Sequence, residues 1–182
     1  MKTLSSKILK ILGWRIIGDF PNLDKSVVIF APHTSYWDGF YGKLFFMQDK
    51  INCKFLTKNE LFKFPMNYFF KVFGYIPLYK NKEYVNQLVE LLNNNKKFHI
   101  VLSPEGQLAR TDHWKRGFYY MADKANVPIV VGYIDYKKKE LGVKGVIPKN
   151  SNINTTMNEI NRMYRNVNAK YPENFAIDKR FK

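Results

Sequence analysis

One short run in this 182-residue chain carries residue types suited to proton transfer. It reads Pro32-His33-Thr34-Ser35-Tyr36-Trp37-Asp38, with a histidine and a carboxylate five positions apart. Histidine is the side chain whose ordinary pKa lets it take and return a proton near neutral pH. A carboxylate on its second ring nitrogen fixes the tautomer and stabilises the imidazolium that forms. Such a pair suits removal of a proton from a hydroxyl, as acyl transfer requires. A spacing of five is about 140° around a regular helix, so the two residues would not share a helical face. They can meet if His33 lies in a loop and Asp38 in the first turn of a helix. Ser35-x-x-Asp38 has a second reading, as a variant capping box in which Asp38 stabilises a helix start and His33 is an ordinary loop residue.

The elements on either side favour a site here. Ser26–Ala31 is apolar and β-branched, as expected of a buried parallel strand, and Pro32 ends it. A helix is expected from about Ser35 to Gln48. Functional side chains favour such strand-to-helix junctions, because the carboxyl ends of parallel strands open onto a crevice. Further along, strands are expected at 52–57, 76–79, 98–103 and within 127–136. Helices are expected at 59–73, 83–95, 115–126 and 155–171. Residues 137–150 read as a basic, Gly-containing hairpin or loop, and the tail from Pro172 as loosely held. Alternation of strand and helix predicts an α/β class, with a single domain built on a twisted, mostly parallel sheet flanked by helices.

Four further blocks follow in order. They are Lys58-Asn59-Glu60-Leu61 with Pro65, then Gly74-Tyr75-Ile76-Pro77-Leu78-Tyr79-Lys80, then Ser103-Pro104-Glu105-Gly106-Gln107 with Lys115-Arg116-Gly117, and finally Val127-Pro128-Ile129-Val130. Together with the His33–Asp38 run they resemble the glycerolipid (lysophosphatidic acid-type) acyltransferase family over residues 26–135. The resemblance implies His33 as general base and Asp38 as the residue that orients it. It implies that Glu105, Gly106 and Gln107 shape the acceptor site, with Lys58, Lys80, Arg110, Lys115 and Arg116 as substrate-binding cations. It also implies a lysolipid acceptor, acyl-CoA or acyl-carrier protein as a donor substrate, and no cofactor or acyl-enzyme. The chain departs from the family pattern in its acceptor blocks. Pro32 replaces an Asn, Lys80 stands where Arg is usual, Gln107 replaces Thr, and Leu108 occupies a usual Arg position. Lysine cannot make the planar two-pronged phosphate contact of arginine, so the expected acceptor need not be plain lysophosphatidic acid.

Composition narrows the partners. Thirty Lys+Arg against 15 Asp+Glu give a formal net charge of +15, which favours a polyanion. Nucleic acid and an anionic membrane surface both fit, but no zinc-finger, RNA-recognition or basic-zipper signature is present, so nucleic acid is not expected. Aromatic residues, 16 % of the chain, suit a membrane interface or an aromatic-rich core. A single cysteine, Cys53, excludes an internal disulfide and a cysteine-based zinc site. No apolar run reaches the roughly 18 residues needed to span a bilayer. Residues 3–18 read as one amphipathic helix with Arg15 misplaced in its apolar arc, either an interfacial anchor or a helix packed on the domain. The expected organisation is therefore a membrane-associating helix at 1–20 and a catalytic domain at 21–182, peripheral on the cytoplasmic face. Of the other histidines, His99 fits a packed strand and His113 a solvated loop.

Overall fold

The computed structural model describes residues 4–48, 50–63, 66–79 and 82–181. Helix α1 (Leu4–Ile11) leads into strand β1 (Arg15–Ile17), β2 (Lys25–Ala31), α2 (Tyr36–Gln48) and β3 (Cys53–Lys58). A 3-10 turn (Asn59–Leu61) precedes α3 (Met66–Val72), β4 (Tyr75–Leu78), α4 (Lys82–Asn94), β5 (Phe98–Leu102) and α5 (Gly117–Ala125). Then come β6 (Ile129–Asp135), β7 (Glu140–Ile147), α6 (Ile153–Tyr164) and a last 3-10 turn (Pro172–Asn174). The strands form one sheet in the order β1-β7-β6-β2-β5-β3-β4. Among the described residues only the β6–β7 pairing is antiparallel, so the expected mostly parallel α/β sheet is present.

The alternation along β2 sorts the two layers. Val27, Ile29 and Ala31 face the helices α4, α5 and α6, where they meet Leu92, Phe118 and Ile160. Val28 and Phe30 face α1 and α2, where they meet Leu9, Phe45 and Phe46. Both faces are covered, which is why β2 reads as a continuous apolar run rather than an alternating one. The chain leaves β2 toward β3 on one side, while β5 connects across β2 to β6 on the other. The right-handed crossover rule places helices for these opposite directions on opposite faces, and α2 and α5 obey it.

Several expectations are corrected. The helix expected at 3–18 stops at Ile11, because Gly13 turns the backbone at φ 77°. Residues 15–17 instead join the sheet edge, pairing with β7, and Arg15 forms an ion pair with Glu140 at 2.7 Å. That strand accounts for the arginine in an apolar arc. Leu9 is buried against α2 while Leu4 and Ile11 are exposed, so α1 both packs on the domain and presents an apolar outer side. The helix expected at 59–73 is a 3-10 turn followed by the shorter α3. The helix expected at 155–171 ends at Tyr164. The hairpin reading of residues 137–150 holds, because they contain β7, which pairs antiparallel with β6.

The tail is not loose. Asp178 is fully buried and accepts the Trp114 backbone N–H at 3.1 Å and the Arg180 guanidinium at 2.6 Å. Asn161 on α6 donates to the carbonyls of Asp178 and Phe181, and the Trp114 indole donates to Ala176. These bonds fasten the tail across the loop that follows β5.

Candidate active site

The site forms where β2, β5 and β6 end. Ser35 caps α2: its carbonyl accepts the Asp38 N–H at 3.1 Å and its hydroxyl accepts the Trp37 N–H at 3.3 Å. Asp38 reaches back, and its Oδ2 accepts the backbone N–H groups of Thr34 at 2.7 Å and Ser35 at 2.8 Å. The capping box is therefore real, and His33 lies beside it. His33 Nδ1 lies 3.4 Å from the same Oδ2. With Asp38 only 1 % exposed and the His33 side chain 29 % exposed, the ring joins a buried carboxylate to an open surface. A carboxylate on Nδ1 draws the proton to that nitrogen, which leaves Nε2 with its lone pair free to act as a base. One loop-to-helix turn thus caps α2 and sets His33 against the same carboxylate.

Two neighbours complete the setting. The Tyr136 hydroxyl, just past β6, donates to Asp38 Oδ1 at 2.6 Å. Burial and the Asp38 charge push its phenol up, so it remains a donor. Glu105, in the turn after β5, accepts the His33 backbone N–H at 2.8 Å on Oε1 and the Ser103 hydroxyl at 2.6 Å on Oε2. Burial raises the Glu105 pKa, against the lowering effect of those two bonds. Glu105 therefore ties the β5 turn to the histidine loop. Thr34 adds a third tether, its hydroxyl accepting the Tyr171 N–H at 3.3 Å.

The structure unites some of the expected residues and separates others. His33, Asp38 and Glu105 cluster together, with the His33 ring 3.4 Å from Asp38 and its backbone N–H bonded to Glu105. Gly106 turns beside it at φ 69°, where an added Cβ would sit 3.3 Å from Lys115 Cγ. Lys115 is exposed, and its N–H donates to Pro104 at 2.7 Å; Arg116 follows at the N-cap of α5. Lys58 is exposed at the end of β3, with β5 between it and β2. Gln107 turns inward on its own loop, donating to the carbonyls of Ala109 and Arg110. Arg110 is held by the carbonyls of Glu173 and Phe175 and lies 3.5 Å from Asp112. Lys80 and Pro65 lie outside the described residues. Tyr136 was not singled out from the sequence, although its place at the carboxyl end of an expected strand was a signal for it.

The two remaining histidines stand apart. His99 is buried, bonds to the Ser26 hydroxyl at 2.8 Å and packs on Phe20; burial pushes its imidazole down to about 4. His113 is exposed in the loop before α5. Among the described residues, no group of three His, Cys, Asp or Glu side chains could hold a metal ion. Among them, too, no helix is long and apolar enough to cross a membrane.

The comparisons with known proteins agree with this architecture. The solved structure of the 1-acyl-sn-glycerophosphate (LPA) acyltransferase PlsC from Thermotoga maritima superposes with a TM-score of 0.54 at 16 % identity. The match covers 79 % of this chain and 65 % of that one, so this chain spans a little under two thirds of the PlsC structure and shares its fold. No curated protein matches the sequence significantly. The family model described as Acyltransferase matches residues 15–134, well over half of the chain and inclusive of His33, Asp38 and Glu105. The chain therefore belongs to the acyltransferase family.

Proposed function

We propose that this protein transfers a fatty acyl group from acyl-CoA or acyl-carrier protein to the hydroxyl of a lysophospholipid-type acceptor at a membrane surface. The observation that carries this reading is His33 set 3.4 Å from a buried, four-way engaged Asp38, with its other ring nitrogen available. In the reaction, His33 Nε2 takes the acceptor hydroxyl proton as the oxygen attacks the thioester carbonyl. Asp38 stabilises the imidazolium. Collapse of the tetrahedral intermediate breaks the carbon–sulfur bond, and the thiolate leaves with the proton from His33. No acyl-enzyme is formed.

The surface around the site supports the membrane part of the proposal. Tyr36, Trp37, Phe40 and Met47 of α2 are exposed, as are Leu4 and Ile11 of α1. Exposed aromatic and aliphatic side chains on a strongly basic protein suit an anionic interface. The decisive assay measures thioester consumption by wild-type and His33→Ala protein, with labelled acyl-CoA and acyl-carrier protein, in the presence and absence of lipid. A labelled lipid product that disappears in the variant is expected. Thioester loss without a lipid product would mean hydrolysis, and full activity in His33→Ala would end the mechanism.

A further inference from the structure

The substrates of the proposed reaction carry phosphate, yet two of the cations expected to hold it are committed or distant, which leaves Lys115 and Arg116 beside the Glu105 turn. Arg110 is turned onto tail carbonyls, and Lys58 is separated from β2 by β5. A different cation reaches the catalytic turn. After α6 the chain crosses the ends of the strands, fixed at both ends of a short stretch. The Asn168 N–H and side-chain amide donate to Asp135 at 3.2 and 2.9 Å, and the Tyr136 N–H donates to the Asn168 carbonyl at 2.9 Å. Tyr171 is bonded to Thr34. Between these anchors, Lys170 lays its ammonium over two rings, 5.4 Å from the centre of Trp37 and 5.6 Å from that of Tyr171.

Both rings are partly open, with Trp37 51 % and Tyr171 43 % exposed. Trp37 immediately precedes Asp38. Among the described residues, no carboxylate lies within 4 Å of the Lys170 ammonium. Ring faces position an ammonium through their quadrupole but leave its charge intact. The result is an unneutralised cation on the rim of the His33 loop, contributed by a segment that lies beyond the family match, which ends at 134. We propose that Lys170 is an anion-binding residue of this active site that holds a substrate phosphate beside His33. This rests on the acyltransferase reading. The phosphate belongs either to the acceptor headgroup or to the donor's carrier.

A binding titration separates this proposal from the reading beneath it, because it needs no turnover. Trp14 and Trp114 are buried, so intrinsic fluorescence changes at the surface report on Trp37. Glycerol 3-phosphate and CoA are titrated into wild-type, Lys170→Gln and Lys170→Arg protein of matched thermal midpoint, with glycerol and pantetheine as phosphate-free controls. Loss of one charge-assisted contact is expected to weaken one phosphate ligand about tenfold in Lys170→Gln, with Lys170→Arg close to wild type and the controls unaffected. In turnover, the matching KM should rise by a similar factor at unchanged kcat. A rise for lysophosphatidic acid but not monoacylglycerol assigns the acceptor phosphate. A rise for acyl-CoA but not acyl-pantetheine assigns the donor. Equal affinity of wild-type and Lys170→Gln protein for both phosphates would overturn the proposal, as would a defect confined to binding anionic vesicles. Absence of turnover in wild-type protein would refute the acyltransferase reading, while the titration would still decide on Lys170.

Discussion

Replacing Asp38 by Asn isolates the charge of the carboxylate from its other roles. Oδ2 accepts two backbone N–H groups and faces His33 Nδ1, whereas Oδ1 accepts the Tyr136 hydroxyl. An asparagine can keep its carbonyl oxygen in the first position and point its amide at Tyr136, whose hydroxyl can rotate to accept. The helix cap and the histidine tautomer then survive, and only the attraction for the imidazolium is lost. At the 3.4 Å separation that attraction is about 5 kcal/mol with an effective dielectric of roughly 20. Partial exposure of His33 reduces it, to about 3 kcal/mol if solvent screens a little under half. The expected loss in kcat is thus on the order of 10²- to 10³-fold, since each 1.36 kcal/mol is tenfold. The assay is release of free thiol from acyl-CoA with acceptor present, alongside urea unfolding of both proteins. A loss below tenfold in a variant of wild-type stability would show that the charge is not used. Loss of activity together with several kcal/mol of stability would mean that the cap had failed instead.

Two further outcomes test the fold that carries the site. Asp178→Ala should lower unfolding free energy by about 2 kcal/mol, because it strands the buried Trp114 N–H and frees the exposed Arg180 side chain from its anchor; urea unfolding within 1 kcal/mol of wild type would contradict the tail's structural role. His99 is held neutral in the fold, with its pKa depressed from an ordinary value of 6.5 to about 4. The unfolded chain binds more protons in that interval, so stability should fall as pH drops from 6.5 toward 4, by about 3 kcal/mol from this group. His99→Leu should flatten that part of the urea-unfolding profile, and an unchanged slope would count against it.

Local rules carried much of the fold because its central strands are locally distinctive. Strand β2 is apolar from Val27 to Ala31 and bounded by Pro32, and β5 is apolar apart from His99, so their place at the centre follows from burial on both faces. The His33–Asp38 pair was legible because loop, cap and carboxylate all lie within seven residues. What escaped was set by distant partners. Ile16 continues the helical periodicity of α1, and only Arg15 signalled a break that Gly13 and a strand 125 residues away enforce. The tail has no periodic pattern; single polar contacts hold it, such as Asp178 to a backbone amide 64 residues earlier. Tyr136 meets Asp38 across 98 residues. Arg110 entered through the family resemblance, and its bonds to the tail carbonyls of Glu173 and Phe175 had no local signal in the sequence.

The double engagement of Asp38 Oδ2 turns the spacing of the motif into a fixed length. The same oxygen closes the first turn of α2 and faces the imidazole, so the chain between positions 33 and 38 can neither gain nor lose a residue. One insertion would rotate the carboxylate by about 100° around the helix, away from both the amides and the ring. Moving the histidine instead would break the bond that ties its backbone to Glu105. Sequence drift in this loop is therefore confined to exchanges at Tyr36, whose side chain points outward, while its length admits no intermediate form through which a different spacing could arise.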